Sequence, residues 1–397
     1  MALTNQKKGT IWSTGLAIFA MFFGAGNIVF PLALGQLTQD KIFFGIFGLI
    51  ITAVIVPLLG LLAMLLYHGN YVLFFQRIGK VPGFLVTIMI LSLIGPFGGI
   101  PRCITIAFST LEISGLKNFY GLNLTTFSLI SCGIIYLFTF RANKIVSLLG
   151  YLLTPILLLS LALIIVKGFI QMPYPAPSFY SGPQMFLRGL LDGYNTMDLL
   201  AAFFFSSVVL LCLRESHIVK EVSEKENRSF LKIALYGSII SACLLTVVYL
   251  SFSFIAAGFS PSLALLSNHQ MLGSLAYQIL GPYAGMVASL AVCLACLTTE
   301  IALTAVFAEY LHENFFKHKI SYQISLFITL GLSFLISTLH FEGIASFLVP
   351  ILQVFYPALI VLCVLNILYK LFDFQPVKGI FYGISGLTLL IRLFLYT

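Results

Sequence analysis

Ala20-Met21-Phe22-Phe23-Gly24-Ala25-Gly26-Asn27-Ile28-Val29-Phe30-Pro31 and Leu191-Asp192-Gly193-Tyr194-Asn195-Thr196-Met197-Asp198 put glycine, asparagine, proline and two carboxylates inside runs that are otherwise apolar. A lone glycine in such a run is ordinary helix packing. A cluster at both places predicts an interrupted helix, and unwound backbone at membrane depth is tolerated only where it is buried in protein or lines a cavity.

The rest of the chain makes the bilayer its solvent. Of 397 residues, 60% are hydrophobic and only 9% charged, against about 25% charged in soluble domains. The net charge of +8 does not mark a nucleic-acid binder, because the basic residues stand singly between apolar runs and form no stripe. Seven cysteines (Cys103, Cys132, Cys212, Cys243, Cys293, Cys296 and Cys363) lie within or at the ends of apolar runs, which argues against a disulfide framework in exposed loops. Cys293 and Cys296 have CxxC spacing, but no second ligand pair follows, so they read as packing residues. Lys7 and Lys8 precede an apolar stretch that is too long for a signal peptide and has no small-residue cleavage pattern, so it is expected to be a retained first span.

Runs of roughly 18 or more apolar residues predict eleven spans, near 12–37, 42–66, 84–110, 124–140, 145–166, 186–212, 230–256, 282–310, 322–339, 343–369 and 377–396. The connections are short and polar, and the whole of 1–397 reads as a single transmembrane domain. Cytoplasmic loops retain Lys and Arg. With the N-terminus inside, the inner segments take Lys7, Lys8, Arg77, Lys80, Arg141, Lys144, Lys220 and most other basic residues, whereas the outer ones take only Lys41, Lys117, Lys167, Arg188 and Arg392.

The two disturbed spans are the first and the sixth. They stand five apart, an odd number, so two five-helix units at 12–166 and 186–369 have opposite topology, and 377–396 is an extra helix. No residue-level identity between the halves is evident, so this repeat is inferred from topology. Broken helices at corresponding positions of inverted repeats are the sequence signature of a substrate site at the midplane of a secondary transporter.

A broken helix frees N–H groups at the start of one half and C=O groups at the end of the other. The first attract a carboxylate and the second an ammonium group or a cation. A zwitterionic amino acid carries both charges. Ala25, Gly26 and Asn27 are therefore candidates to face its carboxylate, and Gly193, Tyr194 and Asn195 to face its amino group. The missing Cβ of Gly26 allows close approach to the main chain, whereas Gly48, on an unbroken span, is expected to accept a side chain far more readily. Helix kinks without a ligand are the plainer alternative.

Ala20 to Pro31 (AMFFGAGNIVFP), Gly95 to Arg102 (GPFGGIPR), Gly193 to Ala202 (GYNTMDLLAA) and Ala295 to Thr299 (ACLTT) together resemble the bacterial branched-chain amino acid carriers. These form the branched-chain amino acid:cation symporter family, within the amino acid-polyamine-organocation superfamily. The resemblance runs from the first span through at least the eighth. It implies an all-α polytopic membrane protein of leucine-transporter-like fold, five plus five inverted helices with helices 1 and 6 broken. It also implies uptake of Leu, Ile and Val, driven by Na⁺ or H⁺, across the cytoplasmic membrane. Met, flexible and of similar volume, fits the same kind of pocket. No other cofactor, nucleic acid or obligate protein partner is expected; the partners are the amino acid and the lipid bilayer.

In span 8, Ala295 and Thr298 are neighbours at i and i+3 on one helix face, with Thr299 beside them. In the fold that the sequence resembles, such a face meets carbonyls just before the first break, here those of Ala20 and Phe23. Five neutral oxygens suit a hard monovalent cation such as Na⁺. Threonines in membrane helices also commonly bond to their own backbone, and the nearby Glu300 leaves H⁺ open as the driver. Intramembrane charges cost about 2.5–3.5 kcal/mol each at a helix centre on insertion scales. Asp198 can either hold the unwound segment or couple an ion. Arg102, nearer the outer side of span 3, can form a structural pair, snorkel or gate. The six histidines fall at span ends or in loops.

An intramembrane enzyme is a rival. Gly383-Ile384-Ser385-Gly386 is a GxSG string, but no histidine lies within a span to serve as its base. No HExxH is present for a zinc protease. A passive channel would want rings of like polar groups along a pore, which paired breaks do not supply.

Overall fold

The computed structural model describes residues 2–113, 123–140, 154–215 and 224–396. The Arg141 to Lys144 connection, the start of the 145–166 span, Lys117 and Lys220 lie outside them. Helix occupies the described part of every predicted span, and no strand occurs among the described residues. Seven helical stretches are long and apolar enough to cross a membrane, and four shorter apolar helices, Thr10–Phe22, Leu124–Thr139, Pro155–Gln171 and Tyr322–Ser337, complete the set among the described residues. Large apolar side chains such as Phe43, Leu137, Phe327 and Phe394 point away from the protein, a surface that only lipid would cover without penalty.

Span 1 is two helices, Ala2–Phe22 and Ala25–Thr38. Span 6 is likewise two, Gly182–Asn195 and Asp198–Glu215. Its interruption falls at Thr196 and Met197, just past the glycine and asparagine that suggested it, and Met197 takes the left-handed conformation with φ 63°. A third interruption was not expected: Gly95 to Gly98 form a turn between Lys80–Ile94 and Gly99–Ile113. Proline and three glycines in five residues explain it, since they neither complete nor favour a helix. The turn puts Arg102 in the first turn of the second half of span 3, Gly99–Ile113.

Glycines bring spans 2 and 6 together. A Cβ added at Gly48 would collide with the Phe186 carbonyl, and one at Gly193 with the Thr52 hydroxyl. The expectation that Gly48 tolerates a side chain is therefore incorrect. Unbroken membrane helices also use small residues to let backbones approach closely. Gly133 and Gly331, with nothing within 4 Å of an added Cβ, are among the open positions.

The eleventh helix, Val377–Tyr396, lies along span 10, where Thr388 donates to the Val354 carbonyl at 3.0 Å. Ser385 of the GxSG string donates to the Phe381 carbonyl of its own helix at 2.8 Å. It is an ordinary helical serine.

Candidate substrate and ion site

The break in span 1 is stabilised by its own asparagine. In a continuous helix the Gly24 N–H would bond the Ala20 carbonyl; here Asn27 Oδ1 accepts it at 3.1 Å. The Ala20 carbonyl is thereby released from the helix ladder. The other end of the Asn27 amide reaches across to span 6, with Nδ2 donating to Asp198 Oδ1 at 2.9 Å and Oδ2 at 2.7 Å. It also donates to the Tyr249 hydroxyl of span 7. Tyr249 in turn donates to Asp198 Oδ2 at 2.9 Å. One buried asparagine thus ties both breaks and a third span into a single network, and each member is almost fully shielded from solvent.

The break in span 6 is held partly from within, where Thr196 Oγ1 donates to the Gly193 carbonyl at 2.9 Å, and partly from outside. The Asn195 carbonyl accepts from Arg102 Nη1 at 2.9 Å, and the Leu199 N–H donates to the Tyr356 hydroxyl of span 10 at 3.3 Å. Both groups are left over at helix ends and need such partners when buried. The Tyr194 ring packs against Tyr356, tilted by 31° with centroids 4.7 Å apart. The breaks touch each other as well: a Cβ on Gly26 would lie 3.0 Å from Thr196 Cα and 3.1 Å from its carbonyl oxygen.

Between the breaks lies a cavity of about 40 Å³, room for one or a few waters. Gly24, Ala25, Gly26 and Asn27 form its wall from span 1, and Thr196, Met197 and Asp198 from span 6. Arg102 and Thr299 complete its polar lining, with Phe22, Phe205 and Leu303 among its apolar residues. Of the residues singled out from the sequence, the structure gathers Ala25, Gly26, Asn27, Arg102, Asp198 and Thr299 here. Gly193, Tyr194 and Asn195 stand in the last turn before the break and outside the wall; Gly193 packs against span 2.

The proposed cation ligands divide. Thr299 Oγ1 lies 3.4 Å from the Phe23 carbonyl oxygen, across the junction of spans 1 and 8. Thr298 Oγ1 instead donates to the Ala295 carbonyl of its own helix at 2.7 Å. Glu300 is buried, but it is absent from the cavity wall. Cys293 donates to the Ala107 carbonyl at 3.3 Å. No cluster of three or more His, Cys, Asp or Glu suited to a metal occurs among the described residues.

Sequence reasoning did not single out Tyr249, Tyr356, Thr196 or Met197. Tyrosines in apolar spans carry no local signal of a role, and a left-handed methionine is set by its surroundings. The turn at Gly95 to Gly98 was signalled by its glycines and proline.

Apolar spans interrupted around a small, mostly apolar cavity define a helical membrane transporter. Solved structures support that fold. An inward-facing conformation of Mhp1 matches with a TM-score of 0.64 at 15% identity, covering 94% of this chain and 80% of that one. The manganese transporter of Eremococcus coleocola matches with a TM-score of 0.56 at 14% identity, covering 98% and 86%. The fold is leucine-transporter-like.

Residues 7–392 match the family described as branched-chain amino acid transport protein, and the chain belongs to that family. The branched-chain amino acid permease BrnQ of Bacillus subtilis is 32% identical over 372 residues, covering 90% of this chain and 81% of the permease. BraB of the same organism is 31% identical over 374 residues, covering 90% and 80%. BrnQ of Lactobacillus delbrueckii subsp. lactis is 31% identical over 387 residues, covering 94% and 84%. The chain is a transporter, not an enzyme.

Proposed function

We propose that this chain imports branched-chain amino acids, and other neutral apolar ones such as Met, across the bacterial cytoplasmic membrane, with its N-terminus inside. The observation that carries this reading is the cavity closed by two helix breaks. The half-helix Ala25–Thr38 has no acidic residue in its first turn, so its N-terminal dipole favours an incoming carboxylate. The half-helix Asp198–Glu215 begins with its own carboxylate, which gives the opposite pole. The apolar lining suits an aliphatic side chain, and a charged one would be desolvated there without a partner. Ligand pockets usually span about 300–1,000 Å³, so a cavity of about 40 Å³ must widen, by movement of the broken helices, to admit leucine.

Na⁺ is the coupling ion we favour. The 3.4 Å between Thr299 Oγ1 and the Phe23 carbonyl suits two adjacent ligands of a hard cation held at oxygen distances of about 2.3–2.6 Å, the range for Ca²⁺. The released Ala20 carbonyl lies one turn earlier, and Ala295 and Thr298 can join the set if Thr298 exchanges its intrahelical bond for the ion. H⁺ is the second reading, supported by the burial of Asp198 and Glu300, neither of which is in an ion pair among the described residues.

Purified protein in proteoliposomes distinguishes these readings, with labelled leucine uptake measured while the Na⁺ and pH gradients are imposed separately. Uptake should rise with external Na⁺ at fixed pH, be inhibited by Ile, Val and Met, and resist Lys and Glu. Thr299→Ala should raise the Na⁺ requirement. Inhibition by Lys or Glu equal to that by Ile would overturn the pocket, and uptake indifferent to Na⁺ but abolished by Glu300→Gln or by collapse of the proton gradient would move coupling to a carboxylate.

A further inference from the structure

Arg102 is one of the largest fully buried side chains in the protein, at 1% exposure. It neither snorkels nor forms an ion pair among the described residues. Nη1 donates to the Asn195 carbonyl, whereas Nε and Nη2 have no hydrogen-bond partner. The rings of Phe30 and Phe341 lie beside it, with centroids 5.5 Å and 5.7 Å from the guanidinium carbon. A buried guanidinium with unused donors is costly in isolation, and a planar fork of N–H groups matches a carboxylate in a bidentate manner.

Among the described residues, Arg102 is the one basic side chain and Asp198 the one carboxylate in the wall of the cavity. Asp198 already accepts from Asn27 and Tyr249. The unmet demand is therefore for an anion at Arg102. The N-terminus of Ala25–Thr38 lines the same cavity, and Phe30 of that half-helix lies beside the guanidinium.

We propose that the unpaired donors of Arg102 receive the α-carboxylate of the transported amino acid, so that the buried charge acquires its counter-ion only when substrate is present. This rests on the proposed function above and names the group that selects an α-amino acid over an amine of the same shape. Because Arg102 also holds the Asn195 carbonyl at the second break, substrate binding and the position of that break act through one side chain.

The test is competition against labelled leucine in proteoliposomes, using unlabelled leucine, leucinol, leucinamide and isopentylamine, which keep the aliphatic group but lack the carboxylate. In the parent protein the three analogues should compete roughly 10- to 150-fold more weakly than leucine, the range for losing a hydrogen bond to a charged group. Arg102→Gln should weaken leucine more than leucinol by a similar factor, whatever it does to both through the second break, so that their ratio approaches one. Arg102→Lys, which keeps the charge but loses the fork, should give an intermediate ratio, and it decides the matter if the glutamine variant fails to insert. A merely structural arginine would change the uptake of all ligands together. Variants that insert normally and keep the parental leucine-to-leucinol ratio would overturn the assignment while leaving the proposed function standing. A parent that neither takes up leucine nor has any α-amino acid compete for it would overturn both.

Discussion

The two helix breaks face one cavity but are built differently. In span 1 the interruption is local: Gly24 supplies the turn, and Asn27, three residues on, accepts its N–H. In span 6 no glycine occupies the turn. Met197 adopts φ 63°, and the freed backbone groups are met by Arg102 of span 3 and Tyr356 of span 10. The Gly24 N–H at the first break is met from within its own span, whereas the Asn195 carbonyl and Leu199 N–H at the second are met by neighbouring spans. A break held by distant side chains can respond to them, and this suits span 6 to register what occupies the cavity.

The largest expected effect is on the bridge between the breaks. Asn27→Ala takes from buried Asp198 the donor that reaches both of its oxygens, and Asp198→Ala leaves Asn27 Nδ2 with only the Tyr249 hydroxyl. Losing one partner of a buried hydrogen-bonded charge costs about 2–5 kcal/mol, so each variant should lose most leucine uptake. The double variant should be destabilised by less than the sum of the two, with a coupling of about 1–3 kcal/mol. Thermal stability in detergent across this double-mutant cycle measures it. Additive effects would mean that the breaks are independent.

Next in size is the contact between the two turns. Gly26→Val should push its β-carbon into Thr196 and cost about 1–3 kcal/mol as overpacking, reducing uptake roughly tenfold or more. Gly133→Val, placed in open space, should leave uptake nearly unchanged. Equal loss at both positions, with normal insertion, would remove the special status of Gly26.

The smallest effect concerns the strain at Met197. In a helix interior alanine is more stable than glycine by about 0.8–1 kcal/mol. At a positive φ the order reverses, and Met197→Gly should be more stable than Met197→Ala by about 0.4–1 kcal/mol. Ala201→Gly, in the regular helix beyond, should show the ordinary order. Melting temperatures of the three variants suffice; alanine above glycine at position 197 would place the break elsewhere.

Much of this architecture is legible in the sequence because apolar run length sets the span count, and because Gly24, Gly26 and Asn27 announce a break by their own chemistry. The second break lies beyond Gly193 and Asn195 because those residues serve other ends. Gly193 admits Thr52, and Asn195 offers its carbonyl to Arg102. The turn at Gly95 to Gly98 was written in glycine and proline, yet no carboxylate or asparagine marked it as functional. Tyr249 and Tyr356 could not be found from local pattern, since their partners lie 51 and 157 residues away in the chain. Thr298 shows the converse: helical spacing places it correctly on a face with Ala295, but spacing does not say that the two will bond to each other.

The most direct measurement is a high-resolution cryo-EM structure of the protein in lipid nanodiscs with leucine and Na⁺ present. The expected density for leucine lies between Gly24 to Asn27 and Thr196 to Asp198, with both breaks still interrupted and the cavity enlarged around the side chain. Leucine bound on the Glu300 and Cys296 side of span 8, or away from both breaks with the cavity unchanged, would contradict the central claim that the paired breaks form the substrate site.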